Sequence, residues 1–113
     1  MATVTQVLQK AAAKLGFKQG EDLAPALNED LQAAYDESYE ELEELDLVTW
    51  AQTGTVPNKV SDYLADIIAW KRGDVYATPE IMQNVSARYV IAERNIKRML
   101  TPRYRSTSEK EDF

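Results

Sequence analysis

Apolar residues recur at steps of three and four along most of the chain, the period of helices with one buried stripe. Over residues 5–15 the stripe is Val7, Leu8, Ala11, Ala12 and Leu15, with Val4 just ahead of it. Thr3 or Thr5 can cap this helix, and Gly16 ends it. GFKQGEDLAP reads as a loop, and Pro25 suits the first turn of a second helix. That helix covers about residues 26–48, with Leu27, Leu31, Ala34, Tyr35, Ser38, Leu42 and Leu45 on its buried side. TWAQTGTVPNK interrupts the pattern through Gly54 and Pro57. A third helix, about residues 58–72, brings Val60, Tyr63, Leu64, Ile67, Ile68 and Lys71 to one face, and Gly73 is expected to stop it. Thr78 and Pro79 are the N-cap and first residue of a fourth helix. It runs to about residue 100 before Pro102, burying Met82, Val85, Tyr89, Ala92, Ile96 and Met99 or Leu100. No alternation of period two persists, so no strand is expected, and no solenoid repeat is present. The fold class is all-α: a small four-helix bundle over residues 1–100. The remaining TPRYRSTSEKEDF, residues 101–113, has no apolar period and is expected to be flexible in the isolated chain.

Composition narrows the chemistry. A chain of 113 residues fits one small domain with a modest core. No apolar run is long enough to span a membrane. The N-terminal stretch carries Lys10 within its apolar pattern and reads as a folded helix rather than a signal peptide. The sequence has no Cys and no His, which removes disulfides, thiolate zinc sites, cysteine nucleophiles and histidine-based triads. The missing Cys is consistent with a cytosolic origin.

The net charge of −6 is unevenly spread. Residues 1–56 hold three Lys against eleven acids, whereas residues 57–113 hold ten Lys or Arg against eight, so the two halves suit partners of opposite charge. Nine acids lie in the second helix and its end: Glu29, Asp30, Asp36, Glu37, Glu40, Glu41, Glu43, Glu44 and Asp46. Glu29 and Asp30 are expected to complement the helix dipole from its first turn, while Glu43, Glu44 and Asp46 oppose it at the other end. These carboxylates face away from the leucine stripe, and without histidine they read as a charged wall rather than a metal or acid–base site. Arg88, Arg94, Lys97, Arg98, Arg103 and Arg105, with Tyr104 among them, form a basic stretch suited to phosphate or to an acidic protein surface. Cations near a helix C-terminus also simply complement its dipole. Trp50 and Trp70 read either as core or as interface anchors. No phosphate-binding glycine loop or nucleophile elbow is present, so no cofactor and no enzymatic activity are expected.

The order of these features resembles that of a known family. VLQKAAAKLGF ends in Leu-Gly, a Glu- and Leu-rich second helix follows, and LVTWAQTGTVP places Trp, Gly and Pro before the third helix. VSDYLADIIAWKRGDVYATPEI and ARYVIAERNIKRML continue the pattern. Together they are similar to the head–tail adaptor, or tail accessory, proteins of short-tailed phages, over residues 3–100 by order and spacing. The resemblance implies a four-helix adaptor made in the host cytoplasm and placed in the virion at the head–tail junction. It implies a ring, of twelve copies in the family, beneath the portal protein, with downstream tail proteins below and packaged DNA passing through without sequence-specific binding. It further implies that residues 101–113 become ordered on the portal, with Arg103, Tyr104, Arg105 and Phe113 as anchors. Glu40, Glu41, Glu44, Trp50, Trp70, Arg94, Lys97 and Arg98 would lie between neighbouring subunits. The alternative from the residues themselves is a small helical nucleic-acid-binding packaging or regulatory factor that uses the basic last helix.

Overall fold

The computed structural model describes residues 2–17 and 24–101, which form four helices and no strand. They are α1 (Val4–Lys14), α2 (Pro25–Glu44), α3 (Asn58–Tyr76) and α4 (Pro79–Leu100). Flexibility is expected from the sequence for residues 101–113, of which all but Thr101 lie outside the described residues.

Local chemistry explains most of the boundaries. Thr3 caps α1 by accepting from the Gln6 amide at 3.2 Å, while the Gln6 side chain accepts from the Thr3 amide at 2.9 Å, a reciprocal capping box. Pro25 and Pro79 begin α2 and α4, where a missing N–H costs nothing, and Thr78 caps α4 through the Ile81 amide. The ends of α1 and α2 use one motif. In α1, Gly16 takes φ 102°, its amide donates to Ala13, and the Phe17 amide reaches back to Ala12. In α2, Asp46 takes φ 58°, its amide donates to Glu43, and the Leu47 amide reaches back to Leu42. Both are Schellman closures, the second built on an aspartate where glycine is usual. It ends α2 at Glu44, short of the expected 48, and leaves Leu45 54% exposed rather than on the buried stripe. Because α2 starts at Pro25, Glu29 and Asp30 fall in its second turn, and its first turn holds no acid.

The third helix is the centre of the molecule: α1, α2 and α4 all pack on it, and α1 also touches α2. Its buried set therefore extends beyond one stripe to include Ser61, Ala65, Ala69 and Gly73. Gly73 does not stop the helix, which continues to Tyr76. A Cβ at Gly73 would overlap Met82 Sδ of α4, so the glycine leaves room for the end of that side chain. The connector after α2 is also part of the core. Leu47, Trp50 and Val56 are buried, and Val56 exchanges backbone hydrogen bonds with Ala2 at 2.7 and 3.0 Å. An aromatic clasp holds this connector to α2. Tyr35 Oη donates to the Gln52 carbonyl at 3.0 Å and accepts from Trp50 Nε1 at 3.2 Å, while Tyr39 Oη donates to the Trp50 carbonyl at 2.8 Å.

Candidate interaction surfaces

The acidic wall of α2 is partly neutralised from within, because α3 supplies the cations that α2 lacks. Lys71 Nζ lies 2.9 Å from Glu41, and Arg72 reaches Glu37 at 3.1 Å and the Asp30 carbonyl at 3.2 Å. Asp30 also accepts from Tyr76 Oη, and Asp36 accepts from Gln32 and Gln52. In the two ion pairs the carboxylates face solvent while Lys71 and Arg72 are largely covered, and each pair contributes about 1 kcal/mol or less. Glu40, Glu43 and Glu44 are exposed and have no ion pair among the described residues. The surplus negative charge thus concentrates at the C-terminal end of α2, where the helix dipole is also negative. Among the described residues, no cluster of three or more carboxylates is placed to hold a metal ion.

The fourth helix, which packs on α3 beside α2, presents the opposite chemistry. Arg88, Arg94 and Arg98 are exposed with no ion pair among the described residues, and Lys97 meets Glu93 only at 3.8 Å across one helical turn. Val90 and Ile91 are each 54% exposed between these cations. Adjacent apolar side chains at that exposure among cations give α4 an outer face with contact surface to offer. Neither the exposed Val90–Ile91 pair nor the internal pairing of Glu41 was anticipated from sequence. Both depend on which side of a helix α3 covers.

Trp50 belongs to the core: it is 8% exposed, edge-on to Tyr39 with centroids 5.9 Å apart, and hydrogen-bonded to Tyr35. That corrects its expected place between subunits, since it has almost no surface to offer. Trp70 is half-buried and stacks on Tyr89 at 3.9 Å with planes 11° apart, joining α3 to α4. Tyr89 in turn donates to Glu93 at 3.0 Å, and burial followed by that carboxylate raises its pKa above the ordinary 10.0. Tyr35 is raised chiefly by burial, and Tyr76 chiefly by donating to Asp30. Arg103, Tyr104, Arg105 and Phe113 lie outside the described residues.

Two clefts flank α3. The smaller, about 80 Å³, lies between α2 and α4 over Leu42, Ile67 and Ile96, with Glu41, Glu93 and Lys97 at its rim. The larger, about 430 Å³, separates α1 from α4 and is lined by Lys10, Lys14, Asp62, Asn84 and Arg88 with an aliphatic side of Ala13, Ile81 and Val85. No helix of the described residues is long and apolar enough to cross a membrane. Compared with known proteins, the chain matches no family model, no curated protein and no solved structure.

Proposed function

We propose that this chain is a non-catalytic structural protein of the virion, a head–tail adaptor that assembles as a ring beneath the portal. In that place it extends the DNA channel and helps to retain packaged DNA. The observation that carries the reading is the pairing of unlike faces on one small domain. The end of α2 offers Glu40, Glu43 and Glu44 unpaired, while α4 offers Arg94 and Arg98 around an exposed Val90 and Ile91. A two-fold contact centred on either face alone would set like charge against like. A head-to-tail contact sets acid against base and generates a ring when the rotation closes. Carboxylates left over along such a ring repel phosphate, which lets DNA pass without sticking. In this reading the segment carrying Arg103, Tyr104, Arg105 and Phe113 reaches the portal, and the opposite end of the ring receives the downstream tail proteins.

The test is sedimentation of the protein with an isolated portal ring, alongside filter binding to duplex DNA at low and raised salt. Co-sedimentation with the portal, lost on deleting residues 102–113 while the helical circular-dichroism signal persists, supports the adaptor. The exposed arginines of α4 favour the rival, a nucleic-acid-binding factor. Tight, salt-steep binding of the isolated protein to DNA, with no portal complex, would establish that rival instead.

A further inference from the structure

The 430 Å³ cleft between α1 and α4 has no part in the ring contact, and its side chains have a chemistry of their own. We propose that this cleft is a docking site for an acidic peptide segment of a partner protein. Lys10 and Lys14 stand one turn apart on the α1 wall, and Arg88 stands on the α4 wall one turn beyond Asn84. The lysines are held in place by α3. Lys10 Nζ donates to Asp62 at 3.0 Å and to Ser61 Oγ at 3.2 Å. Lys14 Nζ lies 2.9 Å from Asp66 Oδ1, an ion contact whose direction does not make a hydrogen bond. Since an ammonium carries three N–H groups, these contacts orient both lysines and leave donors for a ligand. Arg88 has no ion pair among the described residues, so its whole guanidinium fork is available.

The ligand class follows from the lining. Asp62 and Asp66 balance the two lysines, and the unpaired Arg88 leaves a surplus positive charge that calls for an anion. The volume is several times that of one carboxylate or phosphate group, so the ligand brings more than one group. Ala13, Ile81 and Val85 then call for aliphatic side chains beside the acids. Among the described residues no aromatic side chain lines the cleft, so a nucleobase would find no stacking surface there, which disfavours nucleotides and single-stranded nucleic acid. Each wall carries both kinds of lining, Lys10 and Lys14 beside Ala13 on α1 and Arg88 beside Ile81 and Val85 on α4, so a peptide that mixes acids with leucines can meet both.

The probe is a fluorescein-labelled peptide of alternating Glu and Leu, followed by anisotropy against the full chain at low salt. Arg88→Gln is expected to weaken binding about 10-fold, the loss of one charge-assisted contact, and Arg88→Glu to weaken it further. Arg94→Gln, on the outer face of α4, is expected to leave it unchanged, and a Gln-for-Glu peptide is expected not to bind. Arg88 is exposed and unpaired, so both variants should keep the parent's circular dichroism and unfolding midpoint. Equal weakening by Arg88→Gln and Arg94→Gln would reduce the site to general surface charge and overturn the proposal. So would absence of peptide binding, or displacement of the peptide by single-stranded DNA at lower concentration than by unlabelled peptide. A fall in the sedimenting mass of the protein alone on Arg88→Glu would give the cleft to a second copy instead. Portal attachment uses other residues, so it stands or fails separately from this result.

Discussion

Tyr35→Phe removes a single oxygen from the place where the connector after α2 is tied down. Tyr35 is fully buried, and its hydroxyl both donates to the Gln52 carbonyl at 3.0 Å and accepts from Trp50 Nε1 at 3.2 Å. Gln52 is half-buried, so its carbonyl can turn to water, but the indole N–H sits in a side chain only 8% exposed. Stranding that donor costs about 1–3 kcal/mol, or roughly 4–12 °C of unfolding temperature in a domain of this size. The ring itself stays, so no cavity opens and the urea m-value should not change. Urea unfolding followed by far-ultraviolet circular dichroism measures the loss. The control is the same substitution in a Trp50→Phe background, where no N–H is left to strand. There Tyr35→Phe should cost at least about 1 kcal/mol less. A loss below about 0.5 kcal/mol in the parent, or the same loss in both backgrounds, would refute the clasp as an energetic unit.

Alkaline titration should reveal the same hydroxyl. Burial raises the Tyr35 pKa above 10.0, so above that pH the unfolded chain releases its proton first, the folded state binds more protons, and stability falls as pH rises. Tyr35→Phe should therefore flatten the loss of stability above pH 10, read by urea midpoints across that range; an unchanged slope counts against it. Asp46→Gly should raise stability by about 0.5–1 kcal/mol, because glycine takes the left-handed φ without strain and an acid leaves the negative end of α2. A destabilised variant in thermal melts would mean that the aspartate side chain holds the turn. Reversing Glu40 or Glu44 to Lys should leave the free protein unchanged or more stable by a few tenths of a kcal/mol, whereas Glu41→Lys faces Lys71 and should cost up to about 1 kcal/mol. Equal melting temperatures for Glu40→Lys and Glu41→Lys would contradict the internal pairing.

The fourth helix was legible from end to end, because Thr78, Pro79 and Pro102 are chemical punctuation on either side of a regular stripe. The closure of α1 was equally plain in Gly16. The matching closure of α2 was not, because the left-handed position is filled by Asp46, and nothing local separates that aspartate from the other acids nearby. Gly73 misleads in the opposite direction. A glycine read as a stop is there to admit Met82, a contact fixed only by the packing of α4 on α3. The same centrality hid Ser61, Ala65 and Ala69, whose small side chains suit close helix contacts but do not register as a hydrophobic stripe. At the candidate surfaces, sequence separated the acidic helix from the basic one. It did not reveal that Lys71 and Arg72 neutralise part of the first, and it left Trp50 open between core and interface. Those facts depend on which helices become neighbours.

In the proposed assembly, unlike faces on α2 and α4 join copies of this chain head to tail beneath a portal ring. The most direct measurement is the mass of the protein alone and with a portal ring, for the parent, for Glu40→Lys with Glu44→Lys, for Arg94→Glu with Arg98→Glu, and for the two double variants mixed. The parent should load the ring in a fixed, symmetric number of copies. Each double variant alone should load incompletely, while the mixture, whose reversed faces again complement one another, should recover. Full loading by either double variant alone, or no complex with the parent, would contradict that assembly.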